Sequence, residues 1–230
     1  VIMPTYNTPP ETLRSAIGSI KGQLYQNWEL CIADDASTSE DTLLVLREYE
    51  GTDERIKITF REVNGHISEA SNSALELAHG EFVVLVDHDD ELTPNALYML
   101  ATELNRHPDA DVIYSDEDKI DEDGQANHPY FKSDFSPDMF LAQHYINHLG
   151  AYRRGLVEEV GRFRKGFEGS QDYDLALRVI EKSSPDRVRH IPFVLYHWRS
   201  LEGSVASGEE EKSYALDAAR RAIGEHLQHR

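Results

Sequence analysis

At 230 residues the chain has the length of one large α/β domain with a substantial core. Its 42 Asp and Glu against 23 Lys and Arg give a formal charge of −19, which argues against nucleic acid or an anionic membrane surface as principal partner. The one cysteine, Cys31, lies in an apolar run, so neither a disulfide framework nor thiolate zinc is available, and no apolar run approaches the ~18 residues of a membrane span.

The chain opens on Val1-Ile2-Met3, already strand-like, and the expectation is a domain cut from a longer polypeptide, with further domains or anchors elsewhere. A loop at 5–10 follows, then a helix over 11–24 with Leu13, Ile17, Ile20 and Leu24 at helical spacing. Strand 29–33 leads to a helix marked by Leu43 and Leu46. Strand 56–60 and the Asn64-Gly65 turn precede a helix marked by Ala70, Ala74, Leu77 and Ala78. After a strand at 82–86, Thr93-Pro94 opens a helix with Leu97, Leu100, Ala101 and Leu104 inward, and 112–115 reads as a fifth strand. This alternation predicts a parallel sheet with helices on both faces. Past residue 115 the pattern loosens: a hairpin turn at Asp123-Gly124, a strand at 151–153, helices at 156–160 and 172–181, a strand pair or one long strand interrupted at Pro192 over 188–198, and a terminal helix through Ala215, Ala219 and Ala222.

Phe82-Val83-Val84-Leu85-Val86 has the pattern of a strand buried on both faces, and it ends in Asp87-His88-Asp89-Asp90. In an open α/β sheet the ligand crevice lies beyond the carboxyl ends of the strands. Carboxylates there suit Mg²⁺ or Mn²⁺ carrying a substrate phosphate, although the same turn in isolation also suits a solvated loop or helix cap. Strand 29–33 likewise runs into Asp34-Asp35, and parallel strands put both acid groups on one edge, across which a nucleoside diphosphate fits. No glycine-rich dinucleotide fingerprint or P-loop is present, since Pro4-Thr5-Tyr6-Asn7 follows the first strand. The acids at 121–123 lack the spacing of an EF-hand. His144 and His148 share a helical face at ligand spacing but lack an evident third ligand, which disfavours zinc.

Met3-Pro4-Thr5-Tyr6-Asn7, Ala33-Asp34-Asp35-Ala36-Ser37, Asp87-His88-Asp89-Asp90, Gly169-Ser170-Gln171-Asp172-Tyr173-Asp174 and Leu195-Tyr196-His197-Trp198-Arg199 occur in that order. In these the chain resembles the family-2 inverting glycosyltransferases of GT-A fold over nearly its whole length, especially bacterial enzymes of cell-surface polysaccharides such as O-antigen. The resemblance implies a single GT-A domain, with a Rossmann-like nucleotide-sugar half at 1–115 and an acceptor-binding, catalytic-base half at 116–230.

It implies Pro4, Thr5, Tyr6, Asp35, Asp87 and His88 at the nucleotide, with Asp35 on a uracil or thymine imide. Asp89 is implied as direct metal ligand, with Asp87 near ribose and metal and His197 as a further ligand. Asp172 matches the catalytic base, beside Glu168 and Gln171 as acceptor-side candidates. Mn²⁺ or Mg²⁺, a nucleoside-diphosphate sugar (a UDP-sugar favoured), a glycan or lipid-linked acceptor, and a cytoplasmic setting or the inner face of the membrane complete the expectation.

In-line attack on a sugar C1 needs a base on the acceptor side and charge neutralisation on the leaving side, and inverts the anomeric centre. A free Asp is a weak base, so Glu168, Asp174 or burial is expected to raise Asp172. Each residue also has a plainer reading: Asp172 as a helix cap, Asp35 as a turn cap, His197 and Tyr6 as packing. The rivals to glycosyl transfer are a sugar nucleotidyltransferase and a non-catalytic nucleotide- or glycan-binding module of a larger synthase.

Overall fold

A computed structural model describes residues 1–121, 123–199 and 209–229. The first half alternates as the apolar patterning predicts: β1 (Ile2–Thr5), α1 (Pro10–Lys21), β2 (Leu30–Asp34), α2 (Glu40–Tyr49), β3 (Ile56–Phe60), α3 (His66–Glu76) and β4 (Phe82–Leu85). Strands β1 and β2 are buried at every residue, as strands covered on both faces must be. Helix α1 starts with Pro10 in its first turn, and α2 starts where the Ser39 hydroxyl accepts the Thr42 N–H at 3.3 Å.

The second half contributes β5 (Glu91–Leu92), α4 (Ala96–Arg106), β6 (Val112–Ile120), β7 (Ala126–Tyr130), α5 (Pro137–Ala142), β8 (Gly150–Arg153), α6 (Arg154–Glu159), α7 (Gln171–Glu181), β9 (Val188–Arg199) and α8 (Glu209–His229). All strands join one sheet in the order β3-β2-β1-β4-β8-β6-β9-β5, with β7 beside β6. Successive residues of a strand face opposite layers. Met3, Leu30 and Ile32 pack with Leu13, Ile17, Leu46 and Leu97 on one face. Ile2, Cys31 and Ala33 pack with Tyr114, Tyr145, Tyr152 and Leu177 on the other.

The structure departs from the sequence reading in five of these elements. Strand β8 inserts antiparallel between β4 and β6, so the fifth predicted strand is no neighbour of the fourth. Strand β6 runs on to Ile120 and takes in Asp116, Glu117 and Asp118, because β9 pairs with it along its length. Strand β9 is continuous, and the step in register from Ile191 to Val194 passes over Pro192, which has no N–H to offer a ladder. Helix α1 ends at Lys21, which leaves Leu24 exposed, and α2 buries Thr42, Val45 and Leu46 rather than Leu43. The β6–β7 hairpin does turn at 121–125, where Asp121 Oδ1 accepts the N–H groups of Asp123 and Gln125 at 3.1 and 2.8 Å; Glu122 lies outside the described residues.

Gly169 sets the entry to α7. Its φ of +80° suits glycine, and a Cβ there would stand 2.7 Å from the Tyr214 ring of α8. The turn and the close approach of α8 therefore both require glycine immediately before Ser170-Gln171-Asp172.

Candidate active site

The carboxyl ends of β1, β2 and β4 share one edge, so the loops that follow them meet. Beyond β1 and β2 lies a cleft of about 320 Å³ lined by Pro4, Thr5, Tyr6, Asp35, Asn64 and His88, among others. Tyr6 is 45% exposed, so the packing reading fails for it, while Thr5 is buried with its hydroxyl unpartnered among the described residues. His88 Nδ1 sits 3.2 Å from the Pro4 carbonyl, which ties the β4 turn to the β1 turn. Asp35 is buried beneath the cleft. Its Oδ1 accepts the Gly65 N–H at 2.9 Å and lies 2.8 Å from Arg61 Nε. The turn cap is Asp34, whose Oδ2 accepts the Ser37 N–H at 3.0 Å, while Asp35 joins the loops after β2 and β3.

Next to this cleft, and sharing Pro4 and Ile67 with it, a second cavity is lined by Asp87, Asn147, His148, Gln171 and Asp172. The acid turn after β4 faces it. Carboxylate oxygens of Asp87 and Asp90 and a ring nitrogen of His148 lie within 4.8 Å of one another. Asp90 is buried, with Oδ2 accepting the Tyr196 hydroxyl at 2.6 Å and Oδ1 the Arg199 N–H at 2.7 Å. Burial and the neighbouring Asp87 push the Asp90 carboxyl well above its ordinary range, and burial with Asp87 raises Asp89 as well. Burial alone would lower His148, but Asp87 and Glu117 outweigh it and hold the imidazole well above its ordinary value.

The two remaining sequence-assigned metal ligands stand apart from this trio. The Asp89 carbonyl accepts Arg199 Nε at 3.0 Å, while its carboxylate is outside the converging atoms. His197 presents Nδ1 to Asp118 Oδ1 at 2.5 Å, the partner across the β6–β9 ladder. That contact engages Nδ1 with a carboxylate, the arrangement that commonly orients a metal-binding imidazole.

Asp172 lies in the first turn of α7. Its Oδ2 accepts Asn147 Nδ2 at 2.8 Å and lies 3.2 Å from His144 Nε2, while Oδ1 accepts the Tyr173 N–H at 2.8 Å. Burial raises this carboxyl, but His144, His148 and the Tyr173 N–H prevail and hold it at about 2. The expectation that Glu168 or Asp174 raises it is therefore corrected. Glu168 accepts the Gly166 N–H, and Asp174 is locked between Arg164 and Arg178. Gln171 lines the cavity, and its Oε1 is buried without a partner among the described residues.

The stretch at 143–149 corrects another expectation. His144 and His148 lie beyond the end of α5 and diverge, one to Asp172 and the other toward Asp87 at 3.6 Å. No helical periodicity could have assigned them, since the segment is irregular.

These features bring a base-sized cleft, an acid turn and a carboxylate on a helix start to one sheet edge. The model of glycosyl transferase family 2 matches residues 1–161. The chain belongs to glycosyl transferase family 2. Over 229 residues it is 34% identical to the O-antigen biosynthesis protein RfbC of Myxococcus xanthus, covering 99% of this chain and 18% of that protein. It is 49% identical over 227 residues to the uncharacterised protein y4gI of Sinorhizobium fredii, covering 99% of this chain and 25% of the relative. The chain thus spans a quarter or less of the length of these relatives. The fold is that of S. aureus TarS solved with UDP-GlcNAc, at a TM-score of 0.74 and 21% identity over 99% of this chain and 71% of that one. The GT-A arrangement expected for this family 2 glycosyltransferase is the one observed. Among the described residues no helix is long and apolar enough to cross a membrane.

Proposed function

We propose that the chain moves a sugar from a nucleoside-diphosphate sugar, a UDP-sugar above all, to a hydroxyl of a carbohydrate or lipid-linked acceptor, with inversion at the anomeric carbon, in the building of a bacterial surface polysaccharide. One observation carries this reading: Asp172 and the acid turn at Asp87 line a single cavity that opens beside the nucleotide-sized cleft. The O-antigen name of the M. xanthus relative and the UDP-GlcNAc held by TarS support the pathway and the donor class. The work belongs at the cytoplasmic face of the membrane, within a longer polypeptide.

In this reading the base lies in the cleft lined by Tyr6, Thr5 and His88. Asp35, oriented by Arg61 and Gly65, keeps lone pairs for an imide N–H.

The donor set suits Mn²⁺ or Mg²⁺: two carboxylates and an imidazole converge, and the mutual repulsion of Asp87, Asp89 and Asp90 is what a cation relieves. Asp87, Asp90 and His148 supply the converging atoms, and Asp89 and the Asp118-oriented His197, the ligands implied by the family resemblance, join them only by turning toward the ion. When bound, the cation neutralises charge on the departing diphosphate. Asp172 accepts the proton of the acceptor hydroxyl, and Gln171 lines the same cavity on the acceptor side. Glu168, occupied by Gly166, meets an acceptor only after turning outward.

Calorimetric titration with UDP, GDP and dTDP, each with Mn²⁺ and with EDTA, tests the donor site. Tight UDP binding that requires metal, weakened in Asp89→Ala and His197→Ala, is the expected result. Binding indifferent to EDTA and to both substitutions would overturn the metal assignment, and absence of binding to every nucleotide would overturn the donor site.

A further inference from the structure

Strand β7 is followed by Lys132, whose side chain is 0% exposed. An ammonium has three protons to donate, and here all three are used. Nζ donates to the Asn147 carbonyl at 2.7 Å, to the His148 carbonyl at 2.6 Å and to Glu117 Oε2 at 3.0 Å. The same Glu117 oxygen accepts the His148 N–H at 2.7 Å. The peptide at His148 is thus held on its carbonyl side by a cation and on its N–H side by that cation's own partner. The lysine backbone is anchored in turn, since its N–H donates to Asp116 Oδ1 on β6 at 2.9 Å.

What this segment carries makes the arrangement more than packing. The Asn147 side chain donates to Asp172, on the acceptor wall of the cavity. The next side chain, His148, turns to the opposite wall, where its ring lies 3.6 Å from Asp87 and stacks on Tyr196 at 4.8 Å between centroids. Consecutive residues of an irregular stretch therefore touch both the base and the acid turn, and no helix or ladder of their own fixes their backbone.

We propose that the buried Lys132–Glu117 pair is the positioning device of this active site: it fixes the Asn147–His148 backbone and through it sets Asp172 relative to Asp87. Its bearing on turnover rests on the glycosyl-transfer reading, whereas its bearing on geometry does not. Neither residue lines the cavity, and their effect passes through the two side chains they hold.

The test uses Lys132→Met and the double variant Lys132→Met with Glu117→Leu. The single variant leaves a carboxylate buried without its cation and is expected to lose stability. The double variant removes both charges, and such apolar replacements of buried pairs usually fold. If the pair serves stability alone, activity returns with the melting temperature in the double variant.

On the positioning account, the double variant regains stability but stays about 100-fold down in kcat for donor turnover, with the donor KM within about threefold, as misplaced catalytic groups behave. Its Asn147 side-chain amide resonances shift from their wild-type positions, a readout separate from the His148 ring, which lies 3.6 Å from the deleted Glu117 carboxylate. A stable double variant with wild-type kcat and unmoved resonances would overturn the proposal. If the wild-type chain turned over no donor, the glycosyl-transfer reading would fail, while the Asn147 resonances would still decide the positioning.

Discussion

Asp172→Asn separates proton transfer from structure, and its consequences can be worked from the contacts. Asparagine keeps an oxygen for the Tyr173 N–H, 2.8 Å from Asp172 Oδ1, but turns an amide toward Asn147 Nδ2, itself a donor. At least one charge-assisted bond is lost, worth about 1.5–3 kcal/mol. The carboxylate's favourable place in the first turn of α7 adds about 0.3–1 kcal/mol. His144 can recover part of this by presenting an unprotonated Nε2 to the new amide, so a net loss of about 1–3 kcal/mol is expected in urea unfolding.

The catalytic loss is larger: general-base removal costs about 10²–10⁴-fold, or roughly 2.7–5.4 kcal/mol of barrier. Single-turnover transfer measures it, with UDP affinity by calorimetry as the control for an intact donor site. A variant that turns over within threefold of wild type at unchanged UDP affinity would refute the base assignment.

The low pKa of Asp172 has its own signature. Its folded value of about 2 lies below the unfolded value of roughly 3.9. The group therefore contributes stability that is complete above about pH 5 and is lost as pH falls through 4 toward 2. With the side chain 22% exposed, the difference of about two units corresponds to roughly 2–3 kcal/mol. The acid limb of kcat/KM due to this group lies below pH 4, and His144→Leu moves it upward. An acid limb near pH 6 that His144→Leu leaves in place would assign that limb to another group.

Tyr196→Phe removes a hydroxyl that donates to buried Asp90 and accepts the Asp87 N–H at 3.2 Å. About 1–3 kcal/mol of stability should go with it, along with part of the Mn²⁺-dependent UDP affinity; unchanged affinity would show that the acid turn holds its shape without it. Asp174→Ala leaves Arg164 and Arg178 facing each other over a buried gap, and about 3–5 kcal/mol is the expected loss in urea. A loss below 1 kcal/mol would mean that solvent already screens the pair. Burial raises Glu29, but Lys57 and the N–H groups of His79 and Gly80 outweigh it and hold it at about 2. Its contribution is present above about pH 4.5 and disappears toward pH 2, so Glu29→Gln should flatten the acid limb of the stability profile, and an unaltered limb would contradict the assignment.

The elements that the sequence made legible are those whose apolar period is strong. Strands β1, β2 and β4 announce themselves by apolar runs, and the acid ends of β2 and β4 fall on one edge because parallel strands end together. Strand β8 could not be placed the same way. Gly150-Ala151-Tyr152-Arg153 is short, and its slot between β4 and β6 follows from pairing partners distant in the chain, which no local period encodes. The site divides likewise. Asp87, Asp89 and Asp172 stand in motifs, whereas Asn147 and His148 sit in a segment whose conformation is imposed from outside, by a lysine 15 residues earlier and a glutamate on β6.

That difference bears on how the site works. The acid turn inherits its position from the sheet, and Asp172 inherits its position from α7, but the sheet and the helix meet only through side chains. A buried ammonium saturated by two carbonyls and a carboxylate is costly to desolvate, and an apolar side chain would fill the space at less cost. What an apolar side chain cannot do is fix the direction of two consecutive carbonyls. In the proposed glycosyl transfer, whose two walls come from different halves of the chain, that direction sets how Asp172 faces the acid turn across the cavity.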